Sequence, residues 1–543
     1  MATVALRPRG SAGREPASAL LLRRALRDGR TRTISFAALF AAVSYIQPIA
    51  YQRTYATVAE RLAFAHSFAN NKAVVLFYGK AYDLLTVGGY TAWRVGGTLT
   101  IFAAVFGLLA AVRALRAEED AGRTELVLAA GAGRAPVFWS ALASIGASTL
   151  LLWLAVLGGL LAAGLPADGS AYLALAVTSV IPVSAGVGAL ASQLAPTKRV
   201  ATELGGACVA LWFLLRVVAD TSSGAGWLRW FTPLGWAEEL RPFTGARPLV
   251  LLAPLAASAL LIGAASRIAG WRDVGTGLLA SRDTAQPRLR LLSSPVLQAL
   301  RSERGGLLVW VVAVGGQALV IGMVSKSVST MGVSKQLAHT LTKLGAGRTL
   351  SAKAYIGLSF SFFAVVVSLF CISQMVVARH EEAEGRLETL LALPISRRRW
   401  LGGRLGLAAA GAAVISLCAG VLAWAGAVSQ GVSLSLVQML EAGANCLPVA
   451  LLFLGIAALL LMAFPRAGTA IAYGLLTVAY LWQLFGALLG APRWLVQATP
   501  FAHVGAVPAA AFRPGAAALM LALGLVAALA ATRLFERRDL VTA

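Results

Sequence analysis

Apolar runs of about 20 residues recur along the whole chain and limit its fold more than any other feature. A run of that length crosses a bilayer core of about 30 Å as a single helix. We predict twelve such spans, near residues 33–51, 94–115, 136–163, 170–193, 202–219, 249–269, 307–325, 355–378, 402–428, 435–463, 468–489 and 515–533. The chain is therefore expected to be an all-α polytopic membrane protein with twelve transmembrane helices.

The placement of basic residues predicts how these spans are oriented. The formal net charge is +24, but the arginines and lysines cluster in short segments beside the apolar runs. This placement follows the positive-inside rule and argues against a nucleic-acid partner. The N-terminus is rich in arginine and has no signal-cleavage pattern, so both termini are expected to be cytoplasmic in a multi-pass plasma-membrane protein. Four basic residues within 326–348 oppose this orientation, but the summed bias decides it.

The second half of the chain repeats the first in order. Residues 116–134, RAEEDAGRTELVLAAGAGR, align with residues 379–397, RHEEAEGRLETLLALPISR, at an offset of 263. Further matched pairs at offsets up to 267 are Pro182 with Pro448, Thr232 with Thr499, Arg247 with Arg513, Arg267 with Arg533, and Arg272 with Arg538. An even number of spans per copy gives both copies the same orientation. We expect two tandem six-helix bundles with pseudo-two-fold symmetry.

The repeat also predicts the domain boundaries. Leucines lie on one side and arginines on the other at 17–29, as in a helix lying along a membrane surface, and 294–306 matches this stretch. The expected organisation is a cytoplasmic N-terminus with an interfacial helix at 1–32, a six-span half at 33–270, a cytoplasmic linker with the second interfacial helix at 271–305, a second six-span half at 306–533 and a cytoplasmic tail at 534–543.

Acidic residues concentrate in the two aligned segments. Of 23 acidic residues in the chain, these windows hold eight: Glu118, Glu119, Asp120, Glu125, Glu381, Glu382, Glu384 and Glu388. We interpret the segments as docking surfaces for basic residues of a partner, with Gly122, Arg123, Gly385 and Arg386 as further matched positions. The glycines permit a sharp change of direction, and Leu387, Leu390 and Leu391 form an apolar face suited to a partner's groove. The alternative is a solvated charged loop.

The doubled pattern E-E-x-x-G-R-x-E-x-x-L-A resembles the coupling segment of ABC exporter permeases of the type-2 class. In that family an interfacial helix precedes the first span, an acidic coupling helix joins the second and third, and two short helices enter the outer leaflet before the sixth. The third feature has counterparts here near 224–247 and 491–513. The fused 6+6 form resembles the actinobacterial antibiotic and multidrug exporters of the tetronasin-resistance kind. The resemblance implies a type V ABC exporter-like fold and ATP-driven efflux of antibiotics or other amphipathic small molecules.

The chain lacks the sequence that would bind ATP. No G-x-x-x-x-G-K-[ST] occurs, and Gly79-Lys80 is followed by Ala81. Such a loop supplies the backbone amides and the lysine that hold the phosphates. We therefore expect a transport permease that is not itself an enzyme and binds no cofactor. ATP and Mg²⁺ would be bound by two copies of a separate nucleotide-binding ATPase subunit, with lipid and the small-molecule substrate as the other partners.

Polar residues inside spans are the candidates for a substrate path. Gln438, Glu441 and Asn445 share one helix face, and Arg216 lies within an apolar run. For Glu441 the alternative is a position near the outer end of its span, where the carboxylate reaches water. For Arg216 the alternative is a side chain that extends toward the membrane surface.

Two other functional classes stay open at this point. A secondary transporter would need broken helices and paired carboxylates at mid-membrane, and only Glu441 approaches this. A membrane-embedded enzyme would need a catalytic cluster, but the four histidines are scattered and no H-E-x-x-H or G-x-S-x-G occurs. No metal site is expected, because the four cysteines lie in apolar runs without a CxxC pair.

Overall fold

The computed structural model describes residues 17–68, 74–75, 78–221, 224–279, 294–330, 351–383, 385–485, 494 and 497–540. The chain divides into two compact units, Met1–Ala285 and Gln286–Ala543, called unit 1 and unit 2. Regular structure in the described residues is helical throughout.

Unit 1 is a bundle of long helices joined by short ones. Its first helix holds both the predicted interfacial stretch at 17–29 and the first predicted span. Two short helices, the 3-10 helix Gly226–Phe231 and the α-helix Pro233–Glu239, lie where the resemblance implies a hairpin. The α-helices are α1 (Ala17–Thr54), α2 (Val58–Phe68), α3 (Val87–Ala114), α4 (Arg116–Asp120), α5 (Arg123–Ala129), α6 (Arg134–Ala162), α7 (Ala167–Thr178), α8 (Val180–Leu194), α9 (Lys198–Thr221), α10 (Pro233–Glu239) and α11 (Leu252–Trp271).

Unit 2 repeats this order. Its first helix likewise joins the second predicted interfacial stretch to the span that follows. Of its predicted hairpin at 491–513, residues 491–493 and 495–496 lie outside the described residues, and a 3-10 turn occupies Pro500–His503. The α-helices are α12 (Pro295–Thr330), α13 (Ala352–Ala383), α14 (Arg386–Leu391), α15 (Arg397–Ser429), α16 (Leu436–Ala444), α17 (Leu447–Ala463), α18 (Gly468–Phe485) and α19 (Pro514–Arg537).

Eleven helical stretches in the described residues are long and apolar enough to cross a membrane. They correspond to eleven of the twelve predicted spans. The remaining one, at 468–489, contains α18, and its last four residues lie outside the described residues. The protein is a polytopic helical membrane protein.

The fourth predicted span of each half is broken at the same place. α7 ends at Thr178 and α8 follows after Ser179, while α16 ends at Ala444 and α17 begins at Leu447. The cause is the matched proline, because a proline ring clashes with the carbonyl four residues earlier and supplies no amide donor. The residue four positions before Pro182 is Thr178, the last residue of α7, and the residue four positions before Pro448 is Ala444, the last residue of α16.

Glycines allow the first and third long helices of each unit to pack closely. A methyl group at Gly159 of α6 would overlap the backbone of Ala41 in α1. In unit 2, Gly322 of α12 lies against the backbone of Ala423, and Gly426 of α15 lies against that of Leu319. Small residues favour helix association in a bilayer because they let backbones approach. These contacts hold in place the third long helix of each unit, which follows the duplicated acidic segment.

Candidate functional site

In unit 1 the duplicated segment is a pair of short helices, α4 and α5, between two long ones. Gly122 separates them with φ +68°, in the left-handed region. Other residues adopt that region at a cost of about 1–2 kcal/mol, whereas glycine does so readily. The predicted change of direction is therefore present at this position.

In unit 2 the corresponding segment begins inside a long helix. α13 continues to Ala383, and Gly385 with φ +73° precedes α14. The left-handed glycine is thus common to both units, although the helix before it ends differently. A side chain added at Gly122 or Gly385 would meet no other atom, so the backbone angle alone requires glycine there.

Four charged residues hold the segment to the rest of unit 1, and we call them the ionic tie: Arg116, Glu119, Arg134 and Arg272. Nη2 of Arg272 lies 2.7 and 2.8 Å from the two carboxylate oxygens of Glu119. Nη1 of Arg116 donates to the same carboxylate at 3.1 Å. Nη1 of Arg134 donates to the backbone carbonyl of Arg272 at 2.9 Å. The segment is thereby joined to the residue that follows α11.

Arg116 also joins the segment to two loops. Its guanidinium donates to the carbonyls of Gly275 and Thr276, each at 3.0 Å, and to the carbonyl of Pro196. Asp120, which accepts from Nε of Arg116 at 2.9 Å, accepts a second bond at 2.6 Å from the backbone amide of Lys198. That amide is at the first turn of α9, where the unpaired backbone donors favour a carboxylate. The short helix α4 thus contacts the junctions before α9 and after α11.

The tie recurs in unit 2 with Arg379, Glu382, Arg397 and Arg538. Nη2 of Arg538 donates to Glu382 at 2.6 Å, and Nη1 of Arg379 lies 3.5 Å from the same carboxylate. Nε of Arg379 donates to the carbonyl of Pro465 at 3.4 Å, the counterpart of the Pro196 contact. Arg397 donates to the carbonyl of Arg538 at 2.5 Å. The same positions in both units therefore fasten the acidic segment to the end of the last long helix.

The tie turns two of the predicted docking carboxylates inward. Glu382 is only 2% exposed, and the Glu119 side chain is 11% exposed. Both are directed at arginines of their own unit rather than outward. The glutamates before them are also paired: Glu118 with Arg123 at 2.5 Å, and Glu381 with Arg404.

Two carboxylates of the segments do face outward. Glu125 and Glu388 are exposed, and neither pairs with another residue that the structure describes. Large apolar side chains accompany them, since Leu126 is 72% exposed and Leu393 is 55% exposed. An exposed carboxylate beside an exposed leucine is suited to a partner that offers a basic residue next to an apolar pocket.

The expected apolar face of α14 has a different role from the predicted one. Leu387 is fully buried in the core of unit 2, and Leu390 and Leu391 pack against that core. The face therefore anchors the short helix to its own unit, and the expectation that it inserts into a partner's groove is wrong for Leu387. Periodicity indicated an apolar face but not which protein covers it.

Arg123 and Arg386 flank the two glycines on the exposed side of the segments. The hydrogen bond to Glu118 raises the pKa of Arg123 above its usual range, so this pair stays ionised at any physiological pH. Arg386 is likewise exposed. Both arginines begin their short helices, as the alignment of the two segments predicts.

The predicted polar face of the tenth span is divided by the helix break. Glu441 is exposed and Gln438 is partly exposed, both in α16, while Asn445 lies in the break and is 6% exposed. Nδ2 of Asn445 donates to the carbonyl of Gly505 at 2.7 Å. The structure thus gives Asn445 a bonding role within unit 2 and leaves Glu441 at the surface of the unit.

Arg216 belongs to a buried ion cluster in unit 1. Its side chain is fully buried and lies 3.8 Å from Asp220 and 3.5 Å from Glu238. Arg229 donates to Asp220 at 2.6 Å. Burial raises the pKa of Glu238 well above its usual range. Arg216 therefore contacts carboxylates inside its unit.

Sequence reasoning missed the partners that complete these sites. Arg272 and Arg538 were recognised as a matched pair, but nothing local indicated that they bind Glu119 and Glu382. Among the residues that the structure describes, no group of three or more His, Cys, Asp or Glu side chains could hold a metal ion.

Two comparisons with known proteins agree with this picture. A family model described as the multidrug efflux system permease Rv1217c, C-terminal domain, matches residues 55–267 and 292–536, one stretch in each unit. The multidrug efflux system permease protein Rv1217c of Mycobacterium tuberculosis is 33% identical over 492 residues, which are 90% of this chain and 88% of that protein.

Proposed function

This chain belongs to the family of multidrug efflux permeases represented by Rv1217c, an ABC-type family of transport permeases, and we propose that it is the transmembrane subunit of an ATP-driven exporter. The observation that carries the proposal is the duplicated ionic tie. The same four charged positions fasten an acidic segment to the last long helix in each unit. A duplicated mechanical connection suits two copies of a partner that act together.

The partner in this proposal is a separate nucleotide-binding ATPase, bound in two copies. The sequence contains no phosphate-binding loop, so ATP and Mg²⁺ belong to that subunit. Each copy meets one acidic segment, Glu125 with Leu126 in unit 1 and Glu388 with Leu393 in unit 2. Four other glutamates position the segments, because their charges are already matched within the permease: Glu118, Glu119, Glu381 and Glu382.

The ionic tie transmits movement of the ATPase to the membrane helices. A force on α4 and α5 passes through Glu119 to Arg272 at the end of α11, and through Arg116 to the loop before α9. The connection in unit 2 runs from Glu382 to Arg538 at the end of α19. Closure of two ATPase copies on ATP then displaces the last helix of each unit together with the acidic segment.

The remaining features of the proposal concern topology and cargo. Twelve spans in two six-helix bundles place both termini and both acidic segments in the cytoplasm, in the plasma membrane. The cargo class is antibiotics or other amphipathic small molecules that partition into lipid. Glu441 and Gln438, at the surface of unit 2, are the polar candidates for contact with cargo, and Asn445 and Arg216 support the surrounding structure.

The test of docking reverses the two outward carboxylates. A single exposed charge pair contributes less than about 1 kcal/mol, so Glu125→Lys or Glu388→Lys alone should be mild. The double reversal sets like charges against both ATPase copies, and co-purification of the ATPase should fall together with efflux of ethidium from intact cells. Asp168→Lys is the matched control, because Asp168 is an exposed carboxylate in the first turn of α7, outside the segments. Normal recovery of the ATPase with the double variant would remove the docking role.

One observation favours a second candidate, a secondary transporter driven by an ion gradient. Both fourth spans are broken at a proline, and broken helices are common at the binding sites of such transporters. The first candidate is preferred because Pro182 and Pro448 account for both breaks without a bound ion. Dissipating the proton gradient while keeping cellular ATP constant separates the two, since only gradient-driven efflux should stop.

A further inference from the structure

A groove opens in unit 1 between α1, the end of α3, the α4–α5 segment and α6. One end of it is charged, and the other is lined by apolar and hydroxyl side chains. Phe106 and Ile145 lie at the apolar end, where the hydroxyls of Thr33 and Ser148 are 3.1 Å apart. The groove therefore passes from a polar surface into the part of the bundle that carries the apolar spans.

The charged end has an excess of positive charge. Four arginines line it, Arg24, Arg32, Arg113 and Arg123, against two carboxylates, Asp28 and Glu118. Both carboxylates form ion pairs with two of the four arginines. Glu118 pairs with Arg123 and Arg24, and Asp28 pairs with Arg24.

Arg32 and Arg113 lie outside these pairs, although the charge of Glu118 also acts on Arg113. Within the part of the chain that the structure describes, neither makes a hydrogen bond or an ion pair. They lie close enough for the charge of one to oppose that of the other. Two adjacent guanidiniums beside an apolar surface favour an anion carried on an apolar molecule, since guanidinium binds phosphate in a bidentate manner.

In unit 2 the arginine in the corresponding region is paired with carboxylates. The offset that aligns Arg134 with Arg397 places Arg404 at the position of Ala141, which lines the groove in unit 1. Arg404 is 6% exposed and pairs with both Glu303 and Glu381. The same offset places Val376 at the position of Arg113, and the offset that aligns Arg27 with Arg301 places Gly306 at the position of Arg32, so unit 2 lacks both arginines. The excess of positive charge at this place is therefore specific to unit 1.

We propose that this groove binds an anionic phospholipid, with its phosphate on Arg32 and Arg113 and an acyl chain along Phe106 and Ile145. The residues before α1 are poor occupants, because residues 1–16 carry three arginines and one glutamate and would repel the groove. A lipid meets both requirements at once, since it places a phosphate at the level where apolar helices reach the head groups. With the orientation proposed above, this is a lipid of the inner leaflet.

The experiment measures lipid retained by the purified full chain in native mass spectrometry. The protein is taken from nanodiscs containing equal amounts of phosphatidylglycerol and phosphatidylcholine. The wild type should retain phosphatidylglycerol preferentially, and R32Q/R113Q should weaken that retention by roughly thirtyfold, at about a fivefold loss for each basic charge removed.

R27Q/R30Q is the matched control, since Arg27 and Arg30 are exposed arginines of α1 that do not line the groove. This variant should retain lipid as the wild type does. Equal retention of the two lipids by the wild type would overturn the proposal. An equal loss in R27Q/R30Q and R32Q/R113Q would also overturn it, because the effect would then follow net charge alone. The readout is lipid and not export, so either outcome leaves the efflux function untouched.

Discussion

Replacing Glu382 by glutamine should weaken unit 2 more than any other neutralisation in its acidic segment. The side chain is 2% exposed and faces Arg538 at 2.6 Å and Arg379 at 3.5 Å. Glutamine keeps the size and a hydrogen-bonding oxygen but removes the negative charge that pairs with two largely buried guanidiniums. Removing one partner of a buried pair costs about 3–5 kcal/mol, and the retained hydrogen bond places this variant near 3 kcal/mol.

The free energy of unfolding can be measured by equilibrium denaturation of the purified chain in mixed micelles. Glu388→Gln is the control, because that carboxylate is exposed and unpaired within the described residues and should cost less than about 0.5 kcal/mol. Glu382→Gln combined with Arg538→Gln should be less destabilising than the sum of the two single changes, since the pair is then removed together.

The same variants distinguish residues that fasten the acidic segment to unit 2 from residues that bind the ATPase. Glu382→Gln should keep the ATPase bound while lowering efflux, because this carboxylate connects the segment to α19 and does not face outward. Equal unfolding free energies for Glu382→Gln and Glu388→Gln would refute the ionic tie as a structural connection. Additive losses in the double variant would refute it as well.

Two further predictions concern the left-handed glycine and the polar residues of the tenth span. Gly122→Ala should cost about 1 kcal/mol because alanine disfavours the left-handed backbone, and Gly122→Asn should cost less. Gly206→Ala, in open helical space, should be neutral or stabilising, and thermal unfolding compares the three variants. Asn445→Ala should destabilise unit 2 by about 1–3 kcal/mol because the buried carbonyl of Gly505 loses its donor. Glu441→Gln should leave unfolding unchanged and alter substrate-stimulated ATP hydrolysis by the complex.

Much of this protein could be predicted from its sequence because the strongest signals are local or repeated. Apolar runs predict spans from their length, and eleven of twelve coincide with helices long enough to cross a membrane. The turn at Gly122 and Gly385 followed from glycine at matched positions. The internal duplication needed only the alignment of the two halves.

What the sequence could not provide were the contacts between distant residues. Glu119 and Arg272 are 153 positions apart, so no local pattern shows that the carboxylate is used inside the unit. The spacing of Leu387 indicates an apolar face, but the core of unit 2 buries it through contacts that no local pattern shows. Pro182 and Pro448 were matched correctly, but whether such a proline bends or divides a helix depends on the packing around it.

The role of an ATPase is tested most directly by transport into inverted membrane vesicles that contain this chain. Ethidium uptake is measured with and without the candidate ATPase subunit, in the presence of ATP or of an imposed proton gradient. The account predicts uptake only when the ATPase and ATP are both present, with loss of uptake in the Glu125→Lys/Glu388→Lys double variant. Uptake by this chain alone on a proton gradient, unchanged by ATP and by the double variant, would contradict it.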